Sequence, residues 1–242
     1  MSKRNFLAAA LVGGLALLLA ACGGGGSQAV VETPAAGQAA APAPPDCLPP
    51  GAQVADHLRR WAGMCDTWEP LRVDPQMQGA FGRGGLTGED AARMAAVLRD
   101  FEVARRLALV THDPSWFERM GVATDHYLQV VREDIWPGIE RGTAQREQEE
   151  GRRSGDFEVG RYRPVIITVI RSAAGIAVGV QECMEVEGIW IDLATGEELK
   201  RETKSRLVDV RLVRTGDGRF LVDAYRSTRG ECPYDGAMPV PQ

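Results

Sequence analysis

The spacing of apolar residues changes character at Arg163. Before this residue, apolar side chains recur every three or four positions, which is typical of amphipathic helices. After it they alternate or run together, which is typical of strands. In the helical part, a capped start formed by Thr87 and Asp90 predicts a helix that ends near Val110. The apolar stripe of this helix comprises Ala91, Met94, Ala95, Leu98 and Phe101.

Two further helices are expected after the first one. Residues 113–120 begin with a capping aspartate and have a proline in their first turn. Residues 122–135 carry apolar positions along one side, and Pro137 is expected to end their helix. The charged and glycine-broken residues 140–158 predict a solvated loop.

Four strands are expected in the second part of the chain. Residues 163–170 are apolar and β-branched, and residues 175–191 continue as a second strand that ends in a turn at 192–198. Alternating patterns then predict a third strand around 206–212 and a fourth at 219–228, with a glycine-containing hairpin loop between them. Three helices followed by an antiparallel meander predict an α+β fold, with the helices on one face of the sheet.

The N-terminus has the features of an export signal. A short basic start precedes an apolar run that is too short to span a membrane, and residues 17–22 read LLLAAC. This ending resembles the lipobox of bacterial lipoproteins. The resemblance implies that residues 1–21 are removed and that acylated Cys22 anchors the protein in the lipid bilayer, on the extracytoplasmic face of the cell membrane. Residues 22–46 are rich in Gly, Ala and Pro and predict a disordered tether that reaches roughly 25–30 Å.

The remaining chain divides into three parts by composition. Residues 47–86 predict a helical preface closed by a disulfide, residues 87–235 the main domain, and residues 236–242 a tail. The formal net charge is −5, and it falls by two when Lys3 and Arg4 leave with the signal peptide. This acidic balance argues against nucleic acid as a partner.

Four cysteines remain once Cys22 is assigned to lipid. An even number in an oxidising compartment predicts two disulfides, for which three pairings are possible. The economical pairing joins Cys47 to Cys65 and Cys183 to Cys232, and the two closed loops are worth about 3 and about 4 kcal/mol in the chain-entropy model. The cysteines lack a C-x₂-C pair and the three histidines lack a metal-binding pattern, so the sequence indicates no metal site.

Three tracts carry a resemblance to a known family. They read VGVQEC, GIWIDLATGEE and DGRFLVDAYRSTRGEC, and together with the helical start they resemble secreted actinobacterial lipoproteins of the nuclear transport factor 2-like superfamily. The likeness extends over residues 88–232 and leaves the preface outside. It implies a cone, in which N-terminal helices pack in a strongly curved antiparallel sheet around a ligand opening, and it implies that Cys183 pairs with Cys232.

Catalytic members of that superfamily use a carboxylate base and a buried tyrosine or protonated acid. The corresponding candidates here are Asp209, Asp223 and Tyr225, with Tyr127 and Tyr162 as further tyrosines, but no isomerase dyad spacing is recognisable. Aromatic residues at the opening would form a ligand pocket. The candidates for that pocket are Trp116, Tyr127 and Trp190.

Two functional hypotheses follow. The first is a non-catalytic module that binds a small apolar ligand or an envelope protein, and the second is an isomerase- or hydratase-type enzyme that uses the same pocket without a cofactor. The acidic stretch 181–198 supports neither, because the strand period places Glu182 and Glu185 on opposite faces. These acids are therefore expected on the solvated side of a strand, with Trp190 covering the core near the turn.

Overall fold

The computed structural model describes residues 46–83, 85–173, 175–229 and 236–240. The predicted signal peptide, Cys22 and nearly all of the tether lie outside these residues, as does Cys232. The described residues belong to one compact unit, which includes the preface. Its helices are α1 (Asp56–Ala62), α2 (Gln78–Arg83), α3 (Gly88–Thr111), α4 (Trp116–Arg119), α5 (Asp125–Val130) and α6 (Trp136–Glu150), with a π-helical turn at Val131–Ile135 between α5 and α6.

Within the described residues, the strands form one mixed sheet of seven strands. They are β1 (Thr67–Trp68), β2 (Arg72–Val73), β3 (Ser154–Ser172), β4 (Gly175–Asp192), β5 (Glu198–Arg214), β6 (Phe220–Arg229) and β7 (Met238–Pro239). The order across the sheet is β6-β5-β4-β3-β2-β7, and β1 also pairs with β3. The long strands β3 to β6 are joined as an antiparallel meander, as the alternating pattern predicted.

The α+β class is therefore confirmed, but the cone-like antiparallel arrangement is wrong. In the described sheet, β1 and β2 run parallel to β3, with Trp68 beside Tyr162 and Val73 beside Ile166. Both short strands come from the preface, which the resemblance left outside the domain. Two-residue strands have no periodicity to detect, so the sequence pattern could not place them in the sheet.

Helix α3 matches its predicted span because its cap is well defined. The Thr87 hydroxyl oxygen accepts a hydrogen bond from the Asp90 amide at 3.2 Å, and the Asp90 carboxylate accepts one from the Thr87 amide at 3.0 Å. This reciprocal pair satisfies two amides that have no partner inside the helix. The buried side of α3 packs against β3 and β6 and carries Leu98, Phe101 and Leu107 into the core.

The expected loop at 140–158 is wrong, because α6 occupies most of it. Pro137 lies in the first turn of α6, which directly follows the π-helical turn Val131–Ile135, so the helical path continues through the proline instead of ending before it. The π-helical turn before it closes with a bond from the Trp136 amide to the Val131 carbonyl. Extra residues in such a turn redirect side chains, and these turns are frequent at functional sites.

The preface is tied to the rest of the unit by buried polar contacts. Arg106 of α3 lies 2.6 Å from Asp66, and the two side chains are 1% and 2% exposed. Asp66 also accepts a hydrogen bond from the Gly160 amide at 3.1 Å. The indole N–H of Trp61 donates to the Gly196 carbonyl at 2.8 Å. Burial strengthens each of these contacts, since no water competes for the partners.

The predicted disulfide between Cys47 and Cys65 is confirmed, with 5.2 Å between the two Cα atoms. Cys183 is also disulfide-bonded. Its predicted partner Cys232 lies outside the described residues, so that pairing stays a prediction.

Replacing both Cys47 and Cys65 with alanine should lower the free energy of unfolding by about 3 kcal/mol. The bond restricts the unfolded chain across a separation of 18 residues, and a loop of this length is worth about that much in the chain-entropy model. Urea denaturation of the variant and the parent measures the difference. A loss below about 1 kcal/mol would mean that packing alone holds this segment in place.

Candidate functional site

A cavity of about 240 Å³ lies between the helices and the sheet. Helices α3 and α4 supply part of its wall, the segment from α5 through the π-helical turn to α6 supplies another part, and β3, β5 and β6 close it. The apolar and aromatic lining residues are Ala108, Leu109, Phe117, Tyr127, Val131, Ile135, Trp136, Ile139, Phe157 and Tyr225. The charged lining residues are Arg105, Asp156, Glu158 and Arg206. The cavity is therefore mostly apolar, with a few polar groups that could orient a ligand.

The aromatic wall is held by contacts between rings. Tyr127 lies 5.5 Å from Phe101 in an edge-on arrangement and 6.1 Å from Phe117, measured between ring centroids. Tyr225 lies 5.2 Å from the same Phe101. Such pairs contribute roughly 0.5–1.5 kcal/mol beyond the burial of their surface. These contacts hold the rings of the wall in place, which lowers the cost of ordering them on binding.

The charged end of the cavity is built around Glu158, which is 7% exposed. One of its oxygens lies 2.7 Å from the Arg206 guanidinium and the other 3.5 Å from that of Arg105. Arg105 also donates through Nε to Glu102 at 2.7 Å. Helix α3 and strands β3 and β5 thus bring four charges together, and each guanidinium has a carboxylate partner.

A second group of acids lies behind this end. Glu182 of β4 is 1% exposed, and neither of its carboxylate oxygens has a hydrogen-bond partner among the described residues. Burial first, and then the nearby Glu102 carboxylate, hold the pKa of Glu182 well above its usual range. Burial likewise raises the pKa of Glu102, against the opposing effect of Arg105. The hydroxyl of Tyr162 donates to Glu102 at 3.4 Å. Such raised values mark a candidate functional site, although structural clusters show them too.

The tyrosines predicted from the sequence lie at this site. Tyr127 and Tyr225 line the cavity, and Tyr162 lies behind its charged end through Glu102. Burial raises the pKa of Tyr127 and of Tyr225, so both hydroxyls keep their protons at neutral pH. They can therefore serve as neutral hydrogen-bond donors or as apolar surface.

The two candidate aspartates do not line the cavity. Asp209 accepts a hydrogen bond from the Gln181 amide nitrogen at 2.6 Å. Asp223 accepts one from the Thr124 hydroxyl at 2.8 Å and forms an ion pair with Arg211. These contacts fix β5 and β6 to their neighbours. Both aspartates therefore have structural partners and lie apart from the aromatic wall.

The two candidate tryptophans also lie away from the cavity lining. Trp116 is buried and donates through its indole N–H to the Thr111 hydroxyl at 2.9 Å. Trp190 is half-buried and contacts the ammonium groups of Lys200 and Lys204, 4.5 Å and 4.2 Å from its ring centroid. Trp136 lines the cavity instead, although it was not among the residues proposed for the pocket.

The expectation that the acids of 181–198 are solvated is wrong for Glu182. It points to the same side of β4 as Val180, Met184 and Val186, which are all buried, whereas Glu185 is exposed. The two-residue period separated the two glutamates correctly. A charged residue flanked at i−2 and i+2 by apolar ones was the signal that this face is the buried one.

The histidines have structural contacts. His112 takes the left-handed conformation that ends α3, and its ring lies 2.8 Å from Glu140 of α6 and 5.2 Å from the Trp136 ring. The His57 ring contacts the Leu193 carbonyl at 3.2 Å, and His126 is exposed. Within the described ranges, no cluster of three potential metal ligands is present. In the same part of the chain, none of the helices has both the length and the apolar character needed to cross a bilayer.

Comparison with known proteins does not identify a family. The chain matches no family model and no curated protein. Among solved structures, it is similar to the crystal structure of the intermembrane space region of the chloroplast protein ARC6, with 16% sequence identity and a TM-score of 0.38. The match covers 57% of this chain and 96% of that one. A likeness this distant carries no argument for fold or function, and the resemblance to the nuclear transport factor 2-like superfamily stays a prediction from sequence motifs.

Proposed function

We propose that this protein is an extracytoplasmic module that binds a small, mainly apolar ligand in the aromatic-walled cavity. The observation that carries the proposal is the lining itself, which combines five aromatic rings with a charged end whose groups are already paired. An apolar body that lies against these rings would leave water and gain van der Waals contacts with the walls.

The lipobox resemblance completes the proposal. Acylation of Cys22 and the tether would place the cavity outside the cytoplasm, at a short distance from the membrane surface. A ligand of low solubility is concentrated at such a surface. The proposed role is therefore to hold or present an apolar molecule beside the cell membrane.

Binding is favoured over catalysis by the position of the acids. Glu182 and Glu102, whose pKa values are raised, are not among the cavity-lining residues, and Glu158 is committed to two guanidinium groups. A general base must come within about 3 Å of the proton that it removes. An enzyme of the isomerase or hydratase type is the second candidate, supported by the neutral Tyr225 hydroxyl at the cavity wall.

Native mass spectrometry of the full chain, extracted from its own membrane, tests the proposal. We expect a bound small molecule, with most of the bound fraction lost in Ile139→Trp, where the indole would fill part of the cavity. Ile170→Trp is the matched control, because Ile170 is 55% exposed and does not line the cavity. Ligand-free protein in all three samples, together with no binding of added apolar probes, would contradict the proposal.

A further inference from the structure

The charged end of the cavity has no surplus charge to offer a ligand. Arg206 lies 2.7 Å from Glu158, and Arg105 lies 2.7 Å from Glu102. The remaining charged residue of the lining, Asp156, lies 3.7 Å from Arg146. Each positive group therefore has a negative partner. A charged ligand group would enter this low-dielectric site without a counter-charge and would lose its hydration there.

The charged end does, however, offer uncommitted hydrogen-bond donors. The guanidinium of Arg105 carries five N–H groups, of which Nε donates to Glu102 and Nη2 approaches Glu158 at 3.5 Å. Its Nη1 contacts no acceptor in the part of the chain that the structure describes. The Arg105 side chain is 17% exposed and belongs to the lining of the cavity.

The acceptor oxygens of Glu158 at the same end are held in ion pairs, one with Arg105 and one with Arg206. The oxygen that faces Arg206 is buried and forms no hydrogen bond among the described residues. A ligand that only donates hydrogen bonds would have to compete with these ion pairs for the carboxylate oxygens. The arrangement therefore favours a ligand group that accepts a hydrogen bond and carries no charge.

We infer that the ligand is an uncharged molecule with a flat or alicyclic body and one carbonyl-type oxygen, which accepts a hydrogen bond from Arg105. The body would lie against Tyr127, Trp136 and Tyr225. An apolar cavity of about 150 Å³ can hold benzene, so the volume here, about 240 Å³, admits a body of about two fused rings. This inference rests on the proposed ligand-binding function and adds the chemical class of the ligand.

Three probes with the same body and heads of similar shape test the inference. They are 2-acetylnaphthalene with a neutral acceptor, 2-isopropylnaphthalene with no polar group, and 2-naphthoate with a negative charge. Isothermal titration of the full chain at neutral pH should give a Kd for the acetyl probe about tenfold below that of the isopropyl probe, equal to about 1.4 kcal/mol. Naphthoate should bind more weakly than the acetyl probe.

Arg105→Lys provides the residue-level test. Lysine keeps the charge that Glu102 and Glu158 require but replaces the guanidinium fork with a single ammonium group. In this variant, the Kd of the isopropyl probe should exceed that of the acetyl probe by about threefold or less, instead of about tenfold. If this variant does not fold, the ratio in the unchanged protein still decides the question.

The outcomes distinguish a failure of the inferred ligand class from a failure of the proposed ligand-binding function. Equal binding of the acetyl and isopropyl probes would overturn the acceptor class while leaving the ligand-binding function intact. Tightest binding of naphthoate would show that the cavity selects an anion, which also overturns the inference. If none of the three probes binds, and no ligand co-purifies, both the inference and the proposed function fail.

Discussion

Replacing Glu182 with leucine should raise the free energy of unfolding at about pH 8 by about 1 to 3 kcal/mol, the usual cost of an unsatisfied buried polar group. Glu182 is 1% exposed, and within the part of the chain that the structure describes both of its carboxylate oxygens lack a hydrogen-bond partner. Its neighbours on the buried side of β4 are Met184 and Val180. Leucine would fill a similar volume without a polar group to desolvate.

The gain in unfolding free energy should depend on pH, and the raised pKa of Glu182 determines whether it grows or shrinks as the pH rises. Burial, and then the Glu102 carboxylate, raise the pKa of Glu182 above its ordinary value of 4.5. The folded protein therefore keeps a proton that the unfolded chain releases as the pH rises above that value. The bound proton stabilises the folded protein fully at pH values below the pKa that Glu182 has in the unfolded chain. This stabilisation is lost as the pH rises through the pKa that Glu182 has in the folded protein.

Urea denaturation of parent and variant across a range from about pH 4 to about pH 8 measures this difference. The advantage of Glu182→Leu should grow with pH, and Glu182→Gln should remove the same pH dependence while leaving a polar group in place. Glu185→Gln is the control, because Glu185 is exposed and pairs with Arg163 at the surface. A loss of stability in Glu182→Leu at about pH 8 would show that the carboxyl has a partner that outweighs its burial.

Replacing Asp66 with alanine should cost about 3 to 5 kcal/mol of unfolding free energy, the usual loss when a buried ion pair loses one member. The Arg106 guanidinium lies 2.6 Å from Asp66, and each side chain is at most 2% exposed. Without Asp66, the positive charge stays buried without its partner, and the Gly160 amide loses its acceptor as well. Arg106→Met should cost a similar amount, because it strands the carboxylate.

The double variant measures the interaction between Asp66 and Arg106 apart from the contacts that each residue makes with its other neighbours. Asp66→Ala combined with Arg106→Met should recover much of the loss, since no charge is left unpaired in the interior. The matched surface pair is Arg132 with Glu118, whose side chains are 59% and 63% exposed. Breaking that pair should cost under about 1 kcal/mol. If the loss of unfolding free energy in the double variant equals the sum of the two single losses, Asp66 and Arg106 do not form a coupled ion pair.

The parts of the fold with strong local signals could be predicted from the sequence. The capping residues Thr87 and Asp90 placed the start of α3, and the alternating residues of β5 and β6 placed the meander. Local chemistry determines these features, so no information from distant residues was needed. Tyr127 and Tyr225 were named as candidates through the resemblance to the nuclear transport factor 2-like superfamily, and both line the cavity.

The charged end of the cavity could not be predicted in the same way. Glu102 and Arg105 follow Leu98 at intervals of four and seven along α3, on the same stripe as the core, yet charged residues are usually exposed. Glu102 is buried and Arg105 is half-buried, and Glu158 and Arg206, more than 50 residues away, complete the pairing. This pairing depends on the tertiary structure, which the local sequence pattern does not show. The same holds for β1 and β2, which are strands only because β3 accepts them.

The central claim is that the cavity admits a ligand, and methyl NMR of the full chain tests it most directly. Addition of 2-acetylnaphthalene should shift the methyl signals of Ile135, Ile139 and Val131, which line the cavity, and leave that of the exposed Ile170 unchanged. Saturable shifts confined to the lining methyl groups are the predicted result. Unchanged lining signals at a saturating concentration of the probe, or shifts only at Ile170, would contradict the claim.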